Sequence, residues 1–139
     1  GIQVSIASST METVTGCLRS KVQPDLLLSE VKVSDFDAII FVGAYQYERE
    51  NPDAILIAQE AVEEGKILAA ICVAPITLVN AGVLKGKRVT SSLTPHVIEQ
   101  AGAIYSGSRV EQDGLLITGS SPAAAQEFGE TIAAALLAP

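Results

Sequence analysis

The sequence predicts a single α/β domain over residues 1–139, arranged as a three-layer α/β/α sandwich on a mostly parallel sheet. Three observations predict this class. Strand-like and helix-like segments alternate along the chain. Residues 67–71 are apolar without interruption, which is typical of a buried parallel strand. Hydrophobic residues make up 48% of the chain and charged residues 18%, a balance that favours a packed core.

Three extended segments are predicted before the first helix. Residues 2–6 alternate apolar and polar side chains, as in a half-buried strand. Residues 15–22 form a second extended segment, and Pro24 behind it favours an edge position. Residues 38–42 are apolar and predict a buried strand that ends at Gly43.

Proline at the start and glycine at the end mark the predicted helices. Asn51-Pro52-Asp53 supplies a cap, a preset φ and an acidic first turn, and the helix should end at Gly65. Further helices are predicted from Pro75 to about Gly82, from Pro95 to about Gly102, and from Pro122 onward with Phe128, Ile132 and Leu136 on one face.

The remaining strands are short. Residues 89–91 predict one of them. Residues 109–112 and 115–118 flank Asp113-Gly114, a strong hairpin signal because both turn residues tolerate a positive φ.

Cys72 is the leading candidate for chemistry. It lies between the buried strand 67–71 and a helix that starts at Pro75, so we expect it in a sharp strand-to-helix turn. Unpaired amides and the positive end of the helix dipole would favour the thiolate there. Filling the core is the alternative role for a free cysteine.

Composition excludes several other functions. A net charge of −7 argues against nucleic-acid binding, and the basic cluster at residues 85–88 is short. No apolar run is long enough to span a membrane, and no signal peptide is evident. Two distant cysteines favour a reducing cytoplasm over a disulfide framework, and a single histidine makes a zinc site improbable.

Residues 69–75, 81–90 and 109–118 together resemble the ThiJ/PfpI superfamily, which has the class I glutamine amidotransferase-like fold. The branch of the Parkinson-associated protein deglycase is the most similar. This resemblance implies a flavodoxin-like homodimer without a metal or organic cofactor. It also implies action on small reactive carbonyls, or on thiols and amines glycated by them. Protease-type relatives carry histidine after the cysteine, and Val73 stands here instead.

The resemblance also assigns site residues. Cys72 matches the family nucleophile, and Gly43-Ala44 match a pair whose amide helps to form the oxyanion hole. The backbone N–H groups of Ala44 and Val73 are therefore the expected oxyanion donors. A tight turn without any ligand is the alternative role for Gly43.

Three features depart from the family. Its first strand, the following helix and a catalytic glutamate have no counterpart in the sequence, because residues 1–4 correspond to its second strand. The family histidine corresponds to Ser92, and His96 is a weak substitute as base. Residues 118–122 replace a frequent arginine. Cys17 resembles a second cysteine near the dimer interface of some members, although an ordinary edge-strand role is the better explanation.

These features give one leading function and two alternatives. The first is a glyoxalase or protein deglycase that acts on methylglyoxal or its adducts through a Cys72 hemithioacetal. The second is an oxidative-stress sensor or chaperone with an oxidisable Cys72. The third is an inactive fragment of such a protein.

Overall fold

The computed structural model describes residues 1–16 and 18–138, and these divide into two compact units, Gly1–Lys32 and Val33–Pro139. In the first unit, β1 (Ala7–Ser8) pairs in parallel with β4 (Leu26–Leu27). The strands β2 (Val14–Thr15) and β3 (Lys21–Val22) pair antiparallel. That residues 1–139 act as one domain stays a prediction.

The prediction of a strand over residues 2–6 is wrong. Its apolar side chains are exposed, with Ile2 46%, Val4 76% and Ile6 41% accessible, so the alternation has no covered face to define a strand. Pairing starts only at Ile6, whose carbonyl accepts from the N–H of Asp25 at 2.7 Å and whose N–H donates to the Asp25 carboxylate at 2.7 Å.

Within the predicted extended segment 15–22, Thr15 ends β2 and Lys21–Val22 form β3, and the chain reverses direction between these two strands. The N–H of Gly16 donates to the carbonyl oxygen of Ser20 at 2.7 Å, and the N–H of Arg19 donates to the carbonyl oxygen of Gly16 at 2.9 Å. Arg19 has a φ of 67°, which folds the chain back on itself. Cys17 lies outside the described residues.

The second unit contains a four-stranded sheet in the order β5 (Ala38–Phe41), β6 (Ile67–Ile71), β10 (Leu116–Gly119) and β9 (Val110–Asp113). The first three strands are parallel, and β9 is antiparallel to β10. A separate parallel pair consists of β7 (Arg88–Val89) and β8 (Ile104–Tyr105). The predicted mixed α/β class with a mostly parallel sheet is confirmed.

Four helices accompany these strands: α1 (Pro52–Glu63), α2 (Pro75–Ala81), α3 (Pro95–Gln100) and α4 (Ala125–Leu137). Phe128 and Ile132 of α4 pack with Ile67, Ala69 and Ile71 on one face of the sheet. Because side chains alternate along a strand, Leu68 and Leu116 face the other side, where they line a cavity with Val62 of α1. Helices therefore cover both faces, as the three-layer prediction requires.

Two strand predictions need adjustment. The segment 38–42 was expected to be buried, but Ile40 is 46% exposed because β5 is an outer strand of its four-stranded sheet. The hairpin turn lies one residue later than predicted. Asp113 pairs with Leu116, which leaves Gly114 and Leu115 as the two-residue loop.

Candidate active site

Cys72 directly follows β6 and has a φ of 65°. Residues other than glycine rarely adopt this left-handed backbone conformation, because their Cβ then crowds the backbone. Among the described residues other than glycine, only Arg19 shares it. After the turn at Cys72, α2 starts at Pro75. The predicted sharp turn between a buried strand and a proline-started helix is therefore present.

Two backbone hydrogen bonds hold the turn. The N–H of Cys72 donates to the carbonyl of Gly119 at 3.0 Å, so the bonding between β6 and β10 continues to the turn itself. The carbonyl of Cys72 accepts from the N–H of Ser92 at 2.9 Å. The end of β10 and the segment after β7 thus meet the turn after β6 at the cysteine, and both of its backbone polar groups are satisfied.

Gly43 approaches the same turn from the end of β5. A Cβ built on Gly43 would lie 2.9 Å from Cys72 Cβ, 3.2 Å from the carbonyl oxygen of Ile71 and 3.4 Å from the nitrogen of Val73. The first distance is shorter than a carbon–carbon van der Waals contact. Glycine is required here for close approach, which is a more specific reason than a tight turn alone.

Two N–H groups near this contact lack acceptors. No hydrogen bond is made by the backbone N–H of Val73 or Ala44 to any other part of the chain that the structure describes. Val73 is half-buried and Ala44 is exposed. Unpaired N–H groups beside a cysteine can bind a carbonyl oxygen or an anion.

The loop that carries Ala44 is attached to α2. The Tyr47 hydroxyl hydrogen-bonds Thr77 Oγ1 at 2.6 Å, and Asn80 Nδ2 donates to the Arg49 carbonyl at 2.7 Å. Burial raises the pKa of Tyr47, despite the opposing effect of its hydrogen bond to Thr77. The phenol therefore stays protonated, and the loop is held at two points along one helix.

The Cys72 thiol is free and half-buried. One side of it packs against the core cluster that includes Ile71 and Phe128. Its sulfur lies 3.4 Å from Ser92 Oγ, and Ser92 is exposed. The thiol thus has an apolar side and a side that meets a hydroxyl at the surface.

The family resemblance places Ser92 at the position of a histidine that approaches the thiol, but it does not predict a hydrogen bond from a serine. A second sequence signal is the position of Thr90-Ser91-Ser92 directly after β7. The contact itself depends on how β7 is placed relative to β6, which local sequence does not encode.

His96 is exposed in the first turn of α3. It makes no hydrogen bond or ion pair with Cys72 among residues 1–16 and 18–138. The structure thus brings together Cys72, Gly43, Val73 and Ser92, and it leaves His96 outside this group. Whether His96 acts as a base stays a prediction.

The described residues contain no group of three or more His, Cys, Asp or Glu side chains placed to hold a metal ion. Nor do they include a helix with the length and apolarity needed to cross a bilayer.

Comparison with known proteins adds independent information. Residues 1–135 match the model of the DJ-1/PfpI family. The protein MJ0967 of Methanocaldococcus jannaschii is 36% identical over 135 residues, which cover 93% of this chain and 66% of that relative. Deglycase TK1284 of Thermococcus kodakarensis is 35% identical over 125 residues, which cover 88% of this chain and 75% of that protein.

A solved structure gives the same result. The ThiJ/PfpI domain protein from Brachyspira murdochii matches with a TM-score of 0.89 and 26% identity, over 95% of this chain and 78% of that one. This chain therefore spans about two thirds to three quarters of the length of the curated relatives described above. Its fold is the flavodoxin-like fold of these proteins, and the chain belongs to the DJ-1/PfpI family.

Proposed function

We propose that this chain is a cysteine-dependent enzyme of the glyoxalase or protein deglycase type, acting on methylglyoxal or its adducts. The observation that carries the proposal is the left-handed Cys72 turn with two unpaired N–H groups beside it. Membership of the DJ-1/PfpI family supports it, as does the name deglycase of an archaeal relative. Its substrates would be small reactive carbonyls, or thiols and amines glycated by them.

The proposed first step is addition to a carbonyl. The Cys72 thiolate forms a carbon–sulfur bond, and the electron pair of the carbonyl π bond moves to oxygen. The N–H groups of Val73 and Ala44 then hydrogen-bond the new alkoxide. The proton that the thiol released to solvent on ionising returns to this oxygen, which gives the hemithioacetal. Because the Tyr47 and Asn80 contacts already hold the loop, little reorganisation should be needed as this charge develops.

The following proton transfers need a base. His96 is the only histidine of the sequence, so it is kept as the proposed group. It is exposed and does not hydrogen-bond the thiol, and its contribution should therefore be small. Water is the other carrier that can reach an exposed site.

Replacement of the nucleophile tests this function. We expect Cys72→Ser to reduce methylglyoxal consumption to the rate of buffer alone, because a serine hydroxyl is a far weaker nucleophile than a thiolate. Consumption is followed by derivatising the remaining dicarbonyl, and Ser106→Ala serves as the control. Ser106 is an exposed loop residue whose hydroxyl accepts from the Ser108 N–H. Undiminished turnover in Cys72→Ser would contradict the proposal.

The exposed side of the thiol also favours the redox-sensor alternative. A reachable thiolate oxidises to sulfenic and then to sulfinic acid. Mass spectrometry after mild peroxide distinguishes the two functions. Gain of two oxygen atoms at Cys72 in a protein without turnover would favour a sensor, whereas turnover with little oxidation favours the enzyme. The homodimer stays part of the proposal, and sedimentation velocity tests it.

A further inference from the structure

Ser92 contacts Cys72 through both its backbone and its side chain. Its N–H donates to the Cys72 carbonyl at 2.9 Å, and its Oγ lies 3.4 Å from the Cys72 sulfur. The two residues are 20 positions apart and follow different strands, β7 and β6. One residue therefore holds both the backbone of the left-handed turn and the reactive atom.

Within the described part of the chain, the Cys72 sulfur makes no hydrogen bond or ion pair with an ionisable side chain. Among the residues that the structure describes, the only hydrogen-bond partner of the sulfur is the Ser92 hydroxyl. Cys72 also has the backbone of Gly43 close to its Cβ, and it packs against the apolar core cluster that includes Ile71. If the thiol ionises, the sulfur can only accept, and the hydroxyl must donate.

We propose that Ser92 is a positioning residue for Cys72, whose hydroxyl donates to the thiolate and fixes the direction of the sulfur. This inference rests on the proposed function, in which that thiolate attacks a carbonyl. A hydrogen bond to the charged form favours that form, and such bonds are stronger than those between neutral groups. Because the backbone bond already fixes Ser92, little additional side-chain freedom is lost when the hydroxyl donates.

Alkylation of Cys72 by iodoacetamide, followed as a function of pH, tests the proposal without requiring turnover. Mapping of peptide masses separates Cys72 from Cys17. Ser92→Thr keeps the hydroxyl. Ser92→Val introduces a side chain of nearly the same shape as threonine, but without the hydroxyl. This matched pair decides the question even if Ser92→Ala does not fold. Ser106→Ala is the control for a serine that does not contact Cys72.

The expected result is a shift of the pH profile. In Ser92→Val the rate on the low-pH side of the profile should fall about tenfold, the lower end for a hydrogen bond to a charged group, because this site is exposed. The half-maximal rate should move to a higher pH by about one unit, and the plateau at high pH should be unchanged. Ser92→Thr should follow the wild type.

Two results would overturn the proposal. One is a Ser92→Val profile that coincides with that of Ser92→Thr. The other is an equal loss of rate at every pH, which reports damage to the turn and no effect on ionisation. Failure of the proposed function would be distinguishable from failure of this inference. Even if the wild type consumes no methylglyoxal, its alkylation profile can still be compared with that of Ser92→Val.

Discussion

At the scale of single residues, close packing determines the geometry of the Cys72 turn more than any charged partner does. Gly43 lies so close to the turn that a methyl group would overlap Cys72 Cβ, and it would also lie 3.2 Å from the carbonyl oxygen of Ile71 and 3.4 Å from the nitrogen of Val73. Overlap with backbone is not relieved by a change of rotamer. Either the loop or the turn must move, and the Ala44 and Val73 N–H groups would move with it.

We therefore expect Gly43→Ala to lower the free energy of unfolding by about 1–3 kcal/mol, as for other overpacked sites, and to reduce alkylation of Cys72. Gly129→Ala is the matched control. Gly129 lies in α4 with nothing within 4 Å of a built Cβ, so this change should stabilise the helix by about 0.5–1 kcal/mol. Urea unfolding measures both variants. A Gly43→Ala protein as stable and as reactive as the wild type would contradict the packing argument.

At the scale of elements, the hydrogen bond from Tyr47 to Thr77 connects the loop after β5 to α2. Thr77 is only 1% exposed, so removing its partner leaves a buried hydroxyl unpaired. Tyr47→Phe should lower the free energy of unfolding at pH 7 by about 1 kcal/mol. Tyr45→Phe is the control, because Tyr45 is 95% exposed.

The pH dependence of this effect has a definite sign. Burial raises the pKa of Tyr47 above 10.0, so the folded protein favours the neutral phenol. Its contribution to stability is present below pH 10 and is lost as the pH rises through the higher pKa of the folded state. Wild-type stability should therefore decline above pH 10 more steeply than that of Tyr47→Phe. Parallel declines in the two proteins would count against this assignment.

The helices were predictable from sequence because their boundaries are local. Asn51 caps α1 by accepting from the N–H groups of Asp53 and Ala54, and Gly82 ends α2 with a φ of 73°. The buried face of α1 was less predictable. Its small residues Ala54, Ala58 and Ala61 face inward, while the larger Leu56 is 52% exposed. Close packing against α2 selects size as well as hydrophobicity.

At the scale of the whole molecule, features set by neighbouring residues could be predicted from the sequence, whereas features set by pairing between distant residues could not. The Cys72 turn followed from an apolar run and a proline within a few residues. The contact of Ser92 with the thiol and the short strands before residue 32 depend on distant partners. A two-residue strand such as β1 has no periodicity of its own, so only its partner defines it.

One such long-range contact connects the two-stranded and four-stranded sheets of the second unit. The Asp113 carboxylate accepts from the backbone N–H of Arg88 at 3.0 Å. That hydrogen bond lowers the pKa of Asp113 below 3.8, and the positive charges of Arg88 and Lys87 act in the same direction. Its contribution to stability is present above about pH 4 and is lost as the pH falls through the lower pKa of the folded state.

Acid unfolding of Asp113→Asn tests this contribution. The variant should be less stable than the wild type at pH 6, and the difference should shrink as the pH falls below 3.8, measured as urea midpoints. Asp35→Asn, at an exposed position, is the control. A difference that stays constant with pH would show that the carboxylate charge plays no part.

The two backbone hydrogen bonds of Cys72 have a consequence for folding. They join residues that are 47 and 20 positions away in sequence, Gly119 and Ser92, so the left-handed turn can be maintained only once β6, β7 and β10 have assembled. The thiol reactivity of Cys72 should therefore indicate whether these three strands have assembled. A pulse of thiol reagent during refolding should distinguish chains in which β6, β7 and β10 have assembled from chains in which they have not.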